Sequence, residues 1–445
     1  MTNSYIEKIL KELAQRNPQQ PEYLQAVTEV LSTLERVIDA HPEYQKQAVL
    51  ERLVEPERIV VFKVPVEMDD HHIEVYRGYR IQFNGALGPY KGGLRFHPSV
   101  NLSVMKFLAF EQTFKNALTT LPLGGGKGGS DFDPKGKSDN EIRRFCESFM
   151  NELYRHIGAD KDVPAGDMGV GGREIGYLYG YYRRLRGESE SGALTGKGVG
   201  YGGSLGRKQA TGYGLVYFLQ EILKRHPLNN PKAVVSGSGN VAIYAAEKLQ
   251  QLGYQVIGMS DSQGYILDDD IDLNVIKQLK EVQRTSLEDY VKLAGKGEYH
   301  QGSIYDGHYH CDIALPCATQ NEIDARRAAN LVANGVKIVV EGANMPDNNE
   351  AISYYKQHGV IFAPGKAANA GGVATSGLEM SQNAQHLNWT FAEVDEKLHQ
   401  IMTAIHQQCL DACRQYGLDE DDYVSGANIA GFERVVRAMI AQGIY

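Results

Sequence analysis

Lys232-Ala-Val-Val-Ser-Gly-Ser-Gly-Asn-Val-Ala242 is the stretch that decides the fold of the second half of this chain. It begins with the β-branched, apolar character of a buried strand, and the residues after Gly239 predict a helix. The next predicted strand ends at Asp261. A strand, a GxGxxA turn, a helix and a carboxylate about 20 residues further on together predict a dinucleotide-binding fold.

The glycines of this turn have separate tasks in such a fold. Gly237 makes the tight bend, and Gly239 lets the backbone approach a pyrophosphate that then sits at the helix N-terminus. A chance pair of glycines in an ordinary α/β turn is the competing interpretation. The residues predicted here to bind the cofactor are Gly237, Ser238, Gly239, Asn240, Val241, Asp261 and Ser262.

Outward from this turn, the 445 residues are enough for two hydrophobic cores. After the turn, apolar runs at 312–315, 337–341 and 359–363 alternate with predicted helices, which predicts a parallel, doubly wound sheet. Residues 187–206 contain eight glycines, and we place a hinge between two domains there.

The first half of the sequence has a different pattern. Residues 4–55 predict helices, and residues 59–66 and 73–83 predict strands. The second strand is long and alternating, and we expect it at a sheet edge, available to another subunit. The fold class is therefore α/β with two domains, an N-terminal α/β domain (1–200) and a Rossmann-like, doubly wound domain (201–425).

Charge and composition exclude several classes of protein. The net charge is −9, so a large nucleic-acid surface is not expected. No apolar stretch approaches the length of a membrane span. The five cysteines are scattered and form no CxxC pair, which fits a reducing cytoplasm. His308, His310 and Cys311 lack a second ligand pair, so no metal site is predicted.

Lys127 lies within Gly124-Gly-Gly-Lys-Gly-Gly129, a stretch that predicts a glycine-rich loop. It is not a phosphate-binding P-loop, because Gly128 stands where that motif needs Ser or Thr. Lys91 and Lys115 lie in comparable small-residue settings. Amines brought close together repel one another, and repulsion and burial lower a lysine pKa until the amine can act as a base. Such a cluster would also bind a dianionic substrate, whereas three unrelated surface lysines are the alternative.

Asp167 lies in a second glycine-rich segment, residues 163–172, which also predicts a loop. A carboxylate held in such a turn can exchange protons with a substrate amine. An Asx-turn, or a cap for the helix that begins near Arg173, is the alternative interpretation.

Several long stretches resemble the glutamate dehydrogenases, within the wider amino-acid dehydrogenase superfamily, and most closely their short, hexameric bacterial form. The resemblance runs over most of the chain. The segments that carry it are PYKGGLRF (89–96), EQTFKNAL (111–118), LPLGGGKGGSDFDP (121–134), VPAGDMGVGGREIGY (163–177), GGSLGRKQATGYG (202–214), GSGNVA (237–242), DIALPCATQNEI (312–323), EGANMP (341–346) and APGKAANAGGVATSGLEMSQN (363–383).

The resemblance implies a role for each matching residue. Lys127 is similar to the catalytic lysine of low pKa that activates water, and Asp167 to the acid/base that moves protons to the substrate nitrogen. Lys115, with Gln112, resembles the clamp for the α-carboxylate. The remaining matches are the clamp for the side-chain carboxylate and positions around the substrate and the nicotinamide, namely Lys91, Ser376, Arg207, Thr211, Asn240 and Asn344.

The activity that the resemblance implies is the reversible oxidative deamination of L-glutamate to 2-oxoglutarate and ammonium, with hydride transfer to a nicotinamide across a cleft between the domains. Members that act on apolar amino acids have an apolar residue at the position of Lys91, so Lys91 favours glutamate. The resemblance also implies a cytoplasmic homohexamer, with residues 426–445 packing back on the N-terminal domain. The alternatives are a dehydrogenase for another amino acid and a silent nucleotide-binding protein, which should lack Lys127 or Asp167.

NADP(H) is the predicted cofactor, with NAD(H) as the alternative. Asp261 by itself favours NAD, because a carboxylate at that position usually bonds the ribose hydroxyls. The Ser-Asp-Ser end of the strand (260–262) resembles the NADP-linked members instead. Ser262 can donate to a 2′-phosphate, and Lys135 and Lys280 can supply positive charge. A solvated basic surface is the alternative for the two lysines.

Overall fold

The structure is a computed structural model that describes residues 3–443. The chain forms two compact units. Unit 1 takes in the chain up to Leu205, the segment Val373–Val394 and the chain from Ala427 onward. Unit 2 consists of Gly206–Gly372 and Asp395–Gly426.

Helices and strands alternate over most of the described chain. The helices are α1 (Ser4–Arg16), α2 (Pro21–Ser32), α3 (Glu35–Ala40), α4 (Glu43–Lys46), α5 (Val49–Leu53), α6 (Leu102–Leu118), α7 (Asp139–Leu153), α8 (Gly172–Arg186), α9 (Ala210–Arg225), α10 (Asn240–Gln251), α11 (Leu273–Lys277), α12 (Tyr290–Ala294), α13 (Ala325–Ala333), α14 (Asn349–Gln357), α15 (Gly365–Ala368), α16 (Gly371–Gln385), α17 (Phe391–Gln415) and α18 (Tyr423–Gln442). Within residues 3–443, none of these helices has the length and apolarity needed to cross a bilayer.

The strands fall into one sheet in each unit. They are β1 (Arg58–Glu67), β2 (Ile73–Asn84), β3 (Tyr90–Phe96), β4 (Gly124–Ser130) and β5 (Asp162–Gly166) in unit 1, and β6 (Lys232–Val235), β7 (Gln255–Ser260), β8 (Gly264–Leu267), β9 (Glu298–Gln301), β10 (Ile313–Leu315), β11 (Ile338–Val340) and β12 (Ile361–Ala363) in unit 2.

The sheet of unit 1 has the order β1-β2-β4-β3-β5. β1 and β2 form an antiparallel hairpin, β2 is also antiparallel to β4, and β3 runs parallel to β4 and β5. The prediction that β2 is an edge strand is therefore wrong, because β1 is the edge and β2 is paired on both sides. An alternating strand pattern identifies one exposed face, and it does not say whether a neighbour is hydrogen-bonded on each side.

β4 is a fully buried central strand, so the prediction of a loop at Gly124–Gly129 is wrong. Glycine is a weak strand residue, but the neighbours of this strand leave no room for side chains. A Cβ on Gly125 would lie 2.6 Å from the Cα of Thr113, and one on Gly128 would lie 2.7 Å from the carbonyl oxygen of Tyr79. Close backbone packing therefore overrides strand propensity here, and composition alone does not reveal it.

The last helix, α18, packs within unit 1 against α6 and the N-terminal helices. Arg434 donates a hydrogen bond of 2.7 Å to the carbonyl oxygen of Ala117, just before the end of α6. A Cβ on Gly431 would lie only 3.2 Å from the Cβ of Phe114, so the two helices are in close contact. Helix α18, near the end of the described chain, therefore contributes to the core of unit 1.

The sheet of unit 2 has the order β12-β11-β10-β6-β7-β8-β9. The first five strands in this order are parallel, which confirms the predicted sheet, and β8 and β9 add an antiparallel edge that was not predicted. The strand order reverses between β10 and β6. In an open parallel sheet, ligands bind beside the carboxyl ends of the strands at such a reversal.

Candidate active site

The register of unit 1 places four charged residues on one face of its sheet. Lys91 of β3 is in register with Gly125 of β4, so Lys127 lies two residues along on the same face. Arg95 is four residues after Lys91 on β3 and shares this face as well. Asp167 follows the end of β5, so the predicted loop at 163–172 is wrong for its first residues, which form this strand.

Lys127 and Asp167, the two predicted catalytic residues, are in direct contact. The Nζ of Lys127 lies 2.9 Å from Oδ2 of Asp167, and the lysine side chain is only 6% exposed. Arg95, which the sequence analysis did not single out, donates from Nε to the same oxygen, also at 2.9 Å. The site therefore consists of one carboxylate oxygen shared by two cations.

Glycine is what lets these groups converge. A Cβ on Gly93 would lie 2.9 Å from the Cβ of Asp167 and 2.7 Å from the carbonyl oxygen of Gly166. Any larger residue at Gly93 would push β5 away from β3 and carry Asp167 with it. The glycine-rich segments of the sequence are therefore the scaffold of the charged site.

Burial and the neighbouring charges shift the pKa values of Lys127 and Asp167. Burial lowers the pKa of Lys127, attraction to Asp167 opposes that shift, and repulsion from Arg95 and Arg80 adds to it. Burial alone would raise the pKa of Asp167, but Lys127 and Arg95 together hold it well below its usual range. The result is a carboxylate that stays ionised beside an amine that gives up its proton more easily than a free lysine.

Lys91 lies in a second, adjoining part of unit 1. It is 1% exposed, and its Nζ donates a hydrogen bond of 2.8 Å to Oγ1 of Thr195. Thr195 belongs to the predicted hinge segment and was not predicted as a site residue. A buried ammonium group attracts an anion more strongly than one in water, because the low dielectric around it strengthens the attraction between charges.

A fully buried ion pair attaches the Thr195 segment to α16. Nζ of Lys197 lies 2.7 Å from Oε1 of Glu379, and both side chains are 0% exposed. The other oxygen of Glu379 accepts from the amide of Gly196 at 3.0 Å. Ser376, a predicted substrate residue, is buried on α16 one turn before Glu379. Through this pair, the partner of Lys91 and the helix that carries Ser376 are held together.

Gln112 and Lys115, the predicted α-carboxylate clamp, lie one turn apart on α6. Gln112 donates to Oδ1 of Asn116 at 2.7 Å, and Asn116 donates to the carbonyl oxygen of Lys91 at 3.0 Å. The side-chain amides of Gln112 and Asn116 therefore link α6 to β3, the strand that carries Lys91. Lys115 is half-buried on this helix, which packs on β4.

Arg95 and Thr195 are the two residues of this site that sequence reasoning missed. Arg95 lies in the segment 89–96, which carries part of the resemblance, and Thr195 lies in the predicted hinge. The spacing from Lys91 could have identified Arg95. Residues four apart on a strand share a face, and Arg95 is four residues after Lys91. Thr195 left no comparable signal, since its position depends on the chain returning to β3 after about 100 residues.

In unit 2, the glycine turn between β6 and α10 has the form that a pyrophosphate needs. Gly237 has a φ of +87°, and a Cβ there would lie 3.1 Å from the Cα of Ala318. A Cβ at Gly239, by contrast, would meet no atom within 4 Å, so there is open space in front of the first amides of α10. The turn thus fits a dinucleotide, with Ser238, Asn240 and Val241 around the helix N-terminus.

Asp261 follows β7 and is surrounded by donors of its own unit. Its Oδ2 accepts from Nζ of Lys280 and from the amide of Leu287, both at 2.9 Å. Its Oδ1 accepts from the amides of Gln263 at 3.0 Å and Gly264 at 3.2 Å. Although burial raises it, these hydrogen bonds hold the pKa of Asp261 below its usual value. Both carboxylate oxygens are therefore engaged within the protein, and the negative charge is balanced by Lys280.

The other predicted residues are divided between the units. Lys135 lies on an exposed loop of unit 1 after β4, and Ser262 is exposed between β7 and β8. Arg207 and Thr211 lie near each other in unit 2, since a Cβ on Gly372 would approach both. Oδ1 of Asn344 accepts from Asn369 at 3.0 Å. Across residues 3–443, no group of three or more His, Cys, Asp and Glu side chains is placed to hold a metal ion.

Comparison with protein families gives two matches. The model described as "Glutamate/Leucine/Phenylalanine/Valine dehydrogenase" matches residues 202–443. The model described as "Glu/Leu/Phe/Val dehydrogenase, dimerisation domain" matches residues 56–184. Together they cover most of the chain.

Full-length relatives agree with these matches. Several bacterial relatives are named NADP-specific glutamate dehydrogenase; the one from Helicobacter pylori is 54% identical, over 99% of this chain and 100% of the relative. The NAD-specific glutamate dehydrogenase of Clostridium symbiosum is 51% identical, over 99% of each chain. The crystal structure of Plasmodium falciparum glutamate dehydrogenase superimposes with a TM-score of 0.96 at 49% identity, covering 99% of this chain and 95% of that one.

Proposed function

We propose that this chain, which belongs to the glutamate/leucine/phenylalanine/valine dehydrogenase family, is an NADP-dependent glutamate dehydrogenase. It interconverts L-glutamate with 2-oxoglutarate and ammonium. The observation that carries the proposal is the buried contact between Lys127 and Asp167, on the same sheet face as the buried Lys91. Relatives named for the same reaction over the full length of the chain support it.

The substrate is held by amines of unit 1 in this proposal. Lys91, buried and bonded to Thr195, takes the side-chain carboxylate, with Ser376 beside it. Lys115 and Gln112 take the α-carboxylate. An apolar side chain would offer the buried ammonium of Lys91 no charge-assisted hydrogen bond, whereas the side-chain carboxylate of glutamate would. Lys91 is therefore the residue that selects glutamate over leucine, valine and phenylalanine.

Proton transfer is the task of Lys127 and Asp167. A nicotinamide, which the turn at Gly237–Val241 would hold, would supply the acceptor for the hydride of the α-carbon. Glutamate that has lost this hydride and a proton from its nitrogen is an imine. Neutral Lys127 removes a proton from the water that attacks the imine carbon. Asp167, which is ionised at rest, takes up a proton only as it passes one to the nitrogen, so that ammonia leaves and 2-oxoglutarate remains. The reverse sequence aminates 2-oxoglutarate.

The direct test is an initial-rate assay of the purified protein. We expect oxidation of NADPH that depends on both ammonium and 2-oxoglutarate, with little rate when an apolar 2-oxo acid replaces 2-oxoglutarate. A preference for the apolar acid would favour a dehydrogenase of another amino acid. No rate with any of these acids, together with retained NADPH binding, would favour the silent nucleotide-binding protein.

The cofactor choice rests on Lys280. Asp261 would repel a 2′-phosphate if its charge were exposed, but Lys280 balances it at 2.9 Å and adds a donor at the same place. Ser262 lies exposed beside it, and Lys135 is an exposed cation of unit 1. NADP(H) is therefore preferred to NAD(H), although one close relative is named NAD-specific.

Lys280→Glu is expected to lower kcat/KM for NADPH by about tenfold and to change kcat/KM for NADH much less, since only NADPH carries the 2′-phosphate. Initial rates with both reduced cofactors measure this. Lys292→Glu, an equal charge reversal at an exposed position of α12, is the control. A wild-type preference for NADH, or unchanged NADPH use in Lys280→Glu, would contradict the assignment.

The assembly is a homohexamer in this proposal, built through unit 1. Support comes from the hairpin of β1 and β2, because four of its apolar residues lie on the same face and are 39–68% exposed, namely Ile59, Val61, Ile73 and Val75. The matched family model for this region is described as a dimerisation domain. Light scattering should give six times the chain mass, and a monomer would refute the hexamer.

The cellular setting follows from the same proposal. The cysteines described by the structure are all buried thiols without disulfides, as expected for a cytoplasmic protein. A glutamate dehydrogenase that prefers NADPH would work in the reductive direction there and assimilate ammonium. Partners would be small molecules, with no nucleic acid or membrane among them.

A further inference from the structure

Arg95 and Lys127 reach the same atom. Nε of Arg95 and Nζ of Lys127 each lie 2.9 Å from Oδ2 of Asp167. The Arg95 side chain is 12% exposed and that of Asp167 is 21% exposed. One cation is enough to balance the charge of a carboxylate. The second cation on the same oxygen therefore calls for a functional explanation.

Arg95 is fixed in this position by the sheet. It is in register with Gly129 of β4, and a Cβ on Gly129 would run into the backbone of Arg95 itself. Its neighbour Leu94 is in register with Gly166, directly before Asp167. Arg95 is therefore held by strands on both sides and is not a surface arginine that has swung inward.

A proton-transferring Lys127 has a difficulty if Asp167 is its only partner. An adjacent carboxylate favours the protonated amine, and loss of the proton would leave a buried carboxylate without a counter-ion. Arg95 removes both obstacles, because its charge is permanent and it stays bound to Asp167 in either protonation state of the lysine.

We propose that Arg95 is a positioning residue of the proton-transfer site, which keeps Asp167 ionised and in place while Lys127 loses and regains its proton. This inference rests on the proposed function, because it takes Lys127 to be the base. It adds a third member to the pair that the sequence predicted, and it assigns that member no direct contact with substrate.

Other charged groups face Lys127 and must be counted. Arg80 on β2 and Asp167 act on Lys127 electrostatically, Lys91 on β3 shares its sheet face, and Lys115 and Asp162 lie on α6 and β5, which pack beside β4. Arg80 is 0% exposed and bonded to both oxygens of Asp162, so its charge is largely balanced. Lys91 is bonded to Thr195. Arg95 is thus the cation that acts on Lys127 through a shared atom, and it lowers the pKa of Lys127 while Asp167 raises it.

The test is Arg95→Gln, which removes the charge and keeps a side-chain donor. Without this cation, Lys127 should hold its proton to higher pH, by roughly one pH unit. The acidic limb of the pH profile of kcat/KM for glutamate should move up by the same amount. At pH values below this limb, activity should fall roughly tenfold, and it should recover toward wild type at higher pH. Arg95→Lys, which keeps the charge, should leave the limb near its wild-type position.

A second readout does not depend on catalysis. The rate at which acetic anhydride modifies Lys127 in the substrate-free protein, followed by peptide mass spectrometry across pH, reports the ionisation of this amine directly. We expect the modification curve of Arg95→Gln to move up by roughly one pH unit as well. Arg143→Gln, an exposed arginine on α7, is the matched control and should change neither curve.

The outcomes separate cleanly. If Arg95→Gln loses activity equally at every pH and its modification curve does not move, Arg95 has a structural role only and the proposal is overturned. The proposal is also overturned if neither the pH profile of kcat/KM nor the modification curve of this variant moves. If Arg95→Gln does not fold, Arg95→Met, which removes the charge and keeps a long side chain, takes its place, and an unmoved modification curve in that variant would overturn the proposal while a raised one would support it. An inactive wild-type protein would instead count against the proposed function, while the modification curves would still decide the role of Arg95.

Discussion

Lys127→Ala is expected to lower kcat by about a thousandfold or more while leaving the fold and NADPH binding intact. A positioned acid/base group contributes roughly 10²–10⁴-fold to a rate, and Arg95, the other cation on the same oxygen, keeps its proton and so cannot act as the base in its place. The fold should survive because Asp167 keeps Arg95 at 2.9 Å, so the mutation leaves no buried carboxylate without a partner. Steady-state rates with glutamate and NADP measure the loss.

Two controls make this result specific. Lys11→Ala removes an exposed lysine of α1 and should have no effect on the rate. Thermal unfolding and NADPH fluorescence titration of Lys127→Ala should match wild type, since the cofactor turn lies in unit 2. A residual rate above about a tenth of wild type would show that Lys127 is structural rather than the base.

Lys91→Leu is expected to lower kcat/KM for glutamate by roughly ten- to a hundredfold, because a charge-assisted hydrogen bond is worth about 1.5–3 kcal/mol. The loss should appear mainly in KM, since the side-chain carboxylate that we propose Lys91 binds does not react. Apolar amino acids should become better substrates, because leucine fits a pocket from which the buried charge has been removed. Competition between glutamate and leucine in one assay measures the change in preference.

Thr195→Val is the matched control for this variant. It keeps the shape of the threonine and removes only the acceptor at 2.8 Å from Nζ of Lys91. We expect a smaller loss than in Lys91→Leu, because the ammonium remains. If glutamate kinetics in Lys91→Leu stay at the wild-type level, Lys91 does not belong to the substrate site.

Two residues that the sequence singled out lie together, although the strands that position them were not predicted. Lys127 and Asp167 were each given a catalytic role by resemblance, and the structure places them in contact at 2.9 Å, while those roles stay predictions. The strand character of Gly124–Gly129 was not predictable from propensity, because it depends on how closely Thr113 and Tyr79 approach the backbone. Tertiary packing that excludes side chains leaves the same sequence signal as a flexible loop.

In unit 2, the GxGxxA pattern was the strongest local signal in the sequence, and it predicted the positions of its strand, turn and helix. The GxGxxA turn, its strand and its helix lie where the sequence placed them, with Gly237 at positive φ. The surroundings of Asp261 were harder to foresee. Its donors come from the turns after β7 and from residues 280–287, and hydrogen bonds between such distant segments have no periodic pattern in sequence.

The position of α18 in unit 1 has a consequence for how the protein is made. Residues up to Leu205 leave the ribosome first, but the helix that packs against Ala117 and Phe114 begins more than two hundred residues later. At ordinary rates of translation, the nascent unit 1 waits roughly 20 s for this helix. During that time the apolar surface that α18 covers is open to chaperones and to other nascent chains. Synthesis therefore finishes the second unit of the chain before it finishes the first.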